Sequence, residues 1–348
     1  MSTPTTASVI HDIGYKPYTG PRMGRLQILR ALYVHGLRAC FGLGRGPKAK
    51  IVPWFVLLVM LIPAALNVYV ASTGKALVMD YAKMGTDMAL FTVLFVAVAA
   101  PELVSRDLRH HTLPLYFSRP LRRGDYPLAK LLALVSGVLL VTMLPVLVTY
   151  IGQIASSSSG HEIWLDTRQA FPGVFVSLLQ SAVFSVVALL LASTTGRRVI
   201  ATGLIAIFFI VTLAISHVMS DALGTQWADR TTTCVVKGSD QNGPDQLCPG
   251  VGMRGRLNVD GHPDPDKPGY MDLTIDYQTP VYTTIAKAGG LFNPQDLVEG
   301  TRIWVFNATD SDQPDPSPLG PVYGLELAVV VFAGTGGLFL RYRKVSVS

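Results

Sequence analysis

Few residues in this chain stand at a spacing that could do chemistry. The run DGHPDPD, Asp260 to Asp266, offers His262, Asp264 and Asp266 at alternate positions. Imidazole and carboxylate donors spaced in that way can hold a divalent cation. Pro263 and Pro265 instead favour an exposed, solvated turn, and no metal site is expected. The glycine-rich run GLGRGPKAK, Gly42 to Lys50, has the wrong glycine spacing for a phosphate loop. No Lys-Ser or Lys-Thr follows it to reach phosphate and magnesium. A basic collar at a membrane surface is the better reading. No serine–histidine–acid or paired-carboxylate pattern stands out, so neither an active site nor a cofactor is expected in this chain.

The elements that carry these residues are mostly apolar. Mean hydropathy is +0.38, and 15% of the 348 residues are charged, against about 25% in soluble domains. Six runs approach the roughly 20 residues needed to cross a bilayer. They lie at about 51–72, 88–104, 131–155, 171–193, 199–220 and 321–340. Pro63 and Pro145 fall inside spans, where a kink is tolerated. The fold class expected is an all-α polytopic membrane protein with six transmembrane helices. Residues 1–21 lack a hydrophobic signal segment and read as a disordered tail.

Charge sets the orientation. Arg22, Arg25, Arg30, Arg38, Arg45, Lys48 and Lys50 precede the first span. Arg106, Arg109, Arg119, Arg122, Arg123 and Lys130 follow the second, Arg197 and Arg198 the fourth, and Arg341, Arg343 and Lys344 the sixth. The excess of Lys and Arg in cytoplasmic loops puts both termini inside. The +6 net charge is thus a membrane signal, and no nucleic-acid partner is expected. Residues 221–320 then lie outside, with 14 acidic and 7 basic side chains. TTTCVV, RGRLNV, YMDLTIDY and TRIWVF are β-like runs, and a helical piece is expected near TTIAKAGGLF. This predicts a small β-rich or irregular extracytoplasmic domain between spans five and six. Cys234 and Cys248 both fall in it, where an oxidising compartment favours a disulfide. The bond would close a 15-residue loop, worth about 3 kcal/mol. Cys40 is expected to be cytoplasmic and reduced.

Residues 22–50 show Met23, Leu26, Leu29, Leu32, Tyr33, Leu37 and Phe41 at helical spacing, interrupted by Arg25, Arg30 and Arg38. This is the pattern of an amphipathic helix in the inner interface. Inside the spans, charge is sparse. Glu102, His217 and Glu326 sit near span ends, and none is at mid-depth, where a proton-coupled carrier would place one. Energy for any transport must come from elsewhere.

The first inner loop reads PELVSRDLRHHTLPLYFSRPLRRGDYPLAK. It resembles the loop of ABC-2 type (type V) ABC transporter permeases, on Glu102, Thr112, Leu113, Ser118, Arg119, Pro120, Tyr126 and Lys130; His111 stands where the family often has glycine. The resemblance implies a permease of an exporter in a bacterial plasma membrane, working as a homodimer or heterodimer with a second permease. ATP and Mg would be held by a separate ABC ATPase subunit. Residues 105–130 would form the coupling loop, with a short helix over about 106–117. Glu102, Arg106, Arg109, Thr112, Leu113, Phe117 and Arg119 would meet the ATPase, as would Arg25, Leu29 and Leu32 of the interfacial helix. A basic loop that only binds anionic membrane lipid is the plainer reading. Asn67, Phe91, Phe95, Phe208, Phe209 and Thr212 are candidate lining for an amphipathic or hydrophobic substrate, or ordinary packing residues. A membrane scaffold or sensor displaying the outer domain is the alternative function. An importer permease would carry a Glu-Ala-Ala…Gly loop, which is missing here.

Overall fold

The structure, a computed structural model, describes residues 24–73, 77–109, 121–122, 124–157, 159–222, 225–237, 258–263, 270–307 and 318–344. Six of its helices are long and apolar enough to cross a membrane: α2 (Lys48–Ala71), α3 (Ala89–Arg109), α4 (Asp125–Ser156), α5 (Gly160–Ala192), α6 (Arg198–His217) and α9 (Gly320–Lys344). They match the six apolar runs of the sequence. Preceding them is α1 (Arg25–Cys40). Two short helices, α7 (Thr284–Gly289) and α8 (Pro294–Phe306), precede α9.

The helices overrun the apolar runs. With 32 and 33 residues, α4 and α5 each extend about 48–50 Å, well beyond a hydrocarbon core of about 30 Å. Ser159 caps α5 by accepting from the Glu162 amide, so the helix starts well before its apolar stretch. α4 is the central post, flanked by α1, α2 and α5. Small residues let these helices approach closely: Gly36 of α1 sits against Ala133, and Gly137 of α4 against Cys40. Of the spans, α3 is the most enclosed at 65% buried, whereas α6 and α9 are 22% and 17% buried.

The glycines of GLGRGPKAK make the turn between α1 and α2. Gly42 and Gly44 have φ of 66° and 84°, and a Cβ on Gly42 would lie 2.5 Å from the Ala49 carbonyl oxygen. Gly42 N–H donates to Ala39 O and Leu43 N–H to Arg38 O, the paired bonds of a Schellman cap. This turn places Arg45.

Between α6 and α9, β1 (Thr225–Lys237), β2 (Asn258–Pro263) and β3 (Tyr270–Tyr282) form an antiparallel sheet in the order β1-β3-β2. Thr225 pairs with Tyr282, Cys234 with Leu273 and His262 with Asp272. TTTCVV and YMDLTIDY are therefore strands; of RGRLNV, Asn258 and Val259 lie in β2 and residues 254–257 lie outside the described residues. TRIWVF is not a strand: it is the end of α8. Its β-branched and aromatic content is overridden by a strong start signal, with Asn293 accepting from Gln295 N–H and Pro294 in the first turn. The helical piece near TTIAKAGGLF is α7, capped by Thr283. Of the DGHPDPD motif, expected as a turn, Asp260–Pro263 lie in β2 instead; Asp264 and Asp266 lie outside the described residues, as does Cys248.

Candidate functional site

The residues with chemical reach gather at one end of the bundle. α1, the start of α2, the end of α3, the start of α4, the end of α5, the start of α6 and the end of α9 meet there, and bring most of the chain's arginines. Three carboxylates stand among them, each bonded across helices.

Glu102, near the end of α3, is the first. It pairs with Arg45 from the α1–α2 turn and with Arg198 at the start of α6. Its side chain is 9% exposed, so the two guanidiniums replace much of its lost hydration. Ser105 donates to the Ala192 carbonyl oxygen at 3.2 Å, which adds the end of α5 to the same knot. A cleft of about 280 Å³ opens here, lined by Arg45, Pro101, Glu102, Ser105, Arg109, Gly196 and Arg198.

Asp107 is the second. It lies 2.9 Å from the Lys130 ammonium and accepts from the Tyr126 hydroxyl at 2.8 Å. Both partners belong to α4 and are buried, Lys130 at 4% exposure and Tyr126 at 0%. The Tyr126 ring packs on Tyr342 of α9, 5.2 Å between centroids. Asp125 is the third. It takes two bonds from Arg25 of α1, at 2.5 and 2.7 Å, and one from the Arg122 amide. Arg25 is exposed, and its bond to Asp125 raises its pKa above the usual guanidinium value.

Thus α1 is bonded to α4, α3 to α4 and α6, and α4 packs on α9. α1 is amphipathic, as its sequence predicts, but its buried face is Leu32, Gly36, Ala39 and Cys40, with Leu29 half-buried. That face packs on α4, where Tyr33 donates to Ser136 at 3.0 Å. Leu26 is left 79% exposed. Burial pushes the Cys40 thiol up to about 12.

Arg106 to Arg109 form the last turn of α3 rather than the start of a separate helix. Thr112, Leu113, Phe117 and Arg119 lie outside the described residues. Of the candidate lining residues, Asn67, Phe95 and Phe209 are buried packing residues. Asn67 is wholly buried; it accepts from the Val78 and Met79 amides and donates to the Met79 carbonyl oxygen. Phe95 packs on Phe41, and Phe209 on Phe184 and Phe208. Phe91 and Phe208 are half-buried against the core, and Thr212 donates to the Phe209 carbonyl oxygen.

Reading the sequence by its basic residues missed Asp107 and Asp125, and gave Arg45 and Arg198 no partners. Two acids in otherwise basic segments were the available signal. No family model matches the chain, and no curated protein matches it.

Proposed function

We propose that the chain is the membrane-spanning permease subunit of an ATP-driven exporter of the ABC-2 type, moving an amphipathic or hydrophobic substrate outward. ATP and Mg are handled by a separate ATPase chain. The observation that supports this reading is the set of ion pairs that tie different helices together at the basic end of the bundle. A force applied there reaches several spans at once. Pushing α1 moves α4 through Arg25 and Asp125. Pushing the end of α3 moves α4 through Asp107 and Lys130, and moves α6 through Glu102 and Arg198.

In this reading the basic end faces the cytosol of a bacterial cell, with both termini there. α1 lies at the inner membrane interface, and the segment joining α3 to α4, with Arg106, Thr112, Leu113, Phe117 and Arg119, is what the ATPase grips. The sheet and the Cys234–Cys248 disulfide lie outside. Two permeases meet through the little-buried faces of the spans, and Phe91, Phe208 and Thr212 border the substrate path.

The test is purification of the full chain, tagged at its C terminus, from native membranes. An exporter subunit retains a stoichiometric chain bearing a nucleotide-binding loop, and the complex hydrolyses ATP. Isolation without an ATPase under conditions that keep the protein folded supports the membrane scaffold instead.

A further inference from the structure

The cleft between the ends of α3 and α6 carries more positive charge than its own carboxylate can match. Arg45, Arg109 and Arg198 line it with Glu102 as the one acid, three cations to one anion. The carboxylate takes up Arg45 and Arg198, yet each guanidinium has five N–H donors in a fixed fork, so donors are left over on both. Arg109 is exposed and has no ion-pair partner among the described residues. The start of α6 also faces the cleft, through Gly196 and Arg198, with no side chain capping it. Its free amides add to the attraction for an anion.

The surroundings tell what sort of anion fits. Immediately beside Arg198, Val199 is 84% exposed and Ile200 50%, and Leu43 of the neighbouring turn is 44% exposed. A charged cleft therefore opens next to an apolar surface at the end of a membrane-spanning helix. A free phosphate would use only the first part of this arrangement. A molecule with a phosphate head and acyl tails would use both.

We propose that this cleft binds the phosphate group of an anionic membrane lipid, with Arg109 as the main contact and the outward-facing donors of Arg198 and Arg45 completing the cradle. This inference needs only the membrane-spanning reading of the helices and holds whether or not an ATPase partner exists.

The test uses the full chain reconstituted in phosphatidylcholine vesicles containing either spin-labelled phosphatidylglycerol or spin-labelled phosphatidylcholine. The wild type prefers the phosphatidylglycerol label. Arg109→Gln lowers that preference roughly fivefold, the worth of one basic contact at the membrane surface. Arg109→Lys keeps part of it, and Arg168→Gln, at the other end of the bundle, changes nothing. Arg198→Gln supplies the same readout should Arg109→Gln fail to fold. Equal preference in the wild type and both glutamine variants overturns the proposal. So does displacement of the phosphatidylglycerol label by excess inorganic phosphate, which would mark a site for the free ion.

Discussion

The two ends of the bundle are held together by different chemistry. At the basic end the bonds are charged and join different helices: Arg25 to Asp125, Arg45 and Arg198 to Glu102, and Lys130 to Asp107. At the opposite end the cross-element bonds are mostly neutral and end on backbone. Asn67 holds Val78 and Met79, Gln180 donates to Gly85 O, Gln295 donates to Thr86 O, and Tyr323 donates to Lys287 O. The buried ion pair there, Glu299–Arg302, lies within one helix, α8. Arg25 and Arg198 are exposed, and ion pairs near water can exchange partners at small net cost. A side-chain amide bonded to several buried backbone groups cannot. The Arg25 and Arg198 contacts of the basic end are thus suited to rearrangement, and the Asn67 contacts of the opposite end to staying fixed.

This contrast can be broken, most severely at the fixed end. Arg302 reaches Glu299 with two bonds at 2.6 and 3.0 Å, and both side chains are buried. Arg302→Met removes the partner of a buried carboxylate and should cost about 3–5 kcal/mol. Adding Glu299→Gln should recover much of that loss, as read by thermal unfolding in detergent. Asn67→Ala strips the Val78 and Met79 amides of their acceptor and should cost about 2–3 kcal/mol. Proteolysis of the turn of chain over 77–82 should speed up in the same variant.

At the basic end the losses should be smaller in stability and larger in coupling. Glu102→Gln leaves Arg45 and Arg198 without their carboxylate and should lower stability by about 2 kcal/mol. In the proposed complex with an ATPase it should uncouple hydrolysis from the proposed transport. The mildest change is Arg25→Gln. Arg25 is exposed, so thermal stability should hold while hydrogen exchange in α1 rises. Molar salt, which shortens the Debye length to about 3 Å, should raise exchange in α1 of the wild type in the same way and leave the loop under Asn67 unaffected.

Much of this architecture is legible in the sequence, because crossing lipid demands about 20 apolar residues and nothing else in the chain has that pattern. The basic clusters and the helical period over 25–40 are equally direct, although the amphipathic helix expected over 22–50 ends at Cys40 and Lys48–Lys50 begin the first span. The pairing is not legible. Asp107 and Asp125 stand among arginines in sequence, and only the packing of α4 against α1 and α3 chooses Lys130 for one and Arg25 for the other. Asn67 looks like a polar residue in a span suited to line a path, yet the turn of chain over 77–82 folds back onto it. TRIWVF shows the opposite failure. Its local β propensity points to a strand, while the helix start at Asn293–Pro294 stands several residues upstream.

The central claim is that the charged end faces the cytosol, where a motor can grip it. It is tested most directly by placing a single cysteine at Arg122, exposed beside Asp125, in a chain whose Cys40, Cys234 and Cys248 are serine. A membrane-impermeant maleimide should label this cysteine in inside-out vesicles and spare it in intact cells. Labelling in intact cells, with protection in inside-out vesicles, would contradict the account.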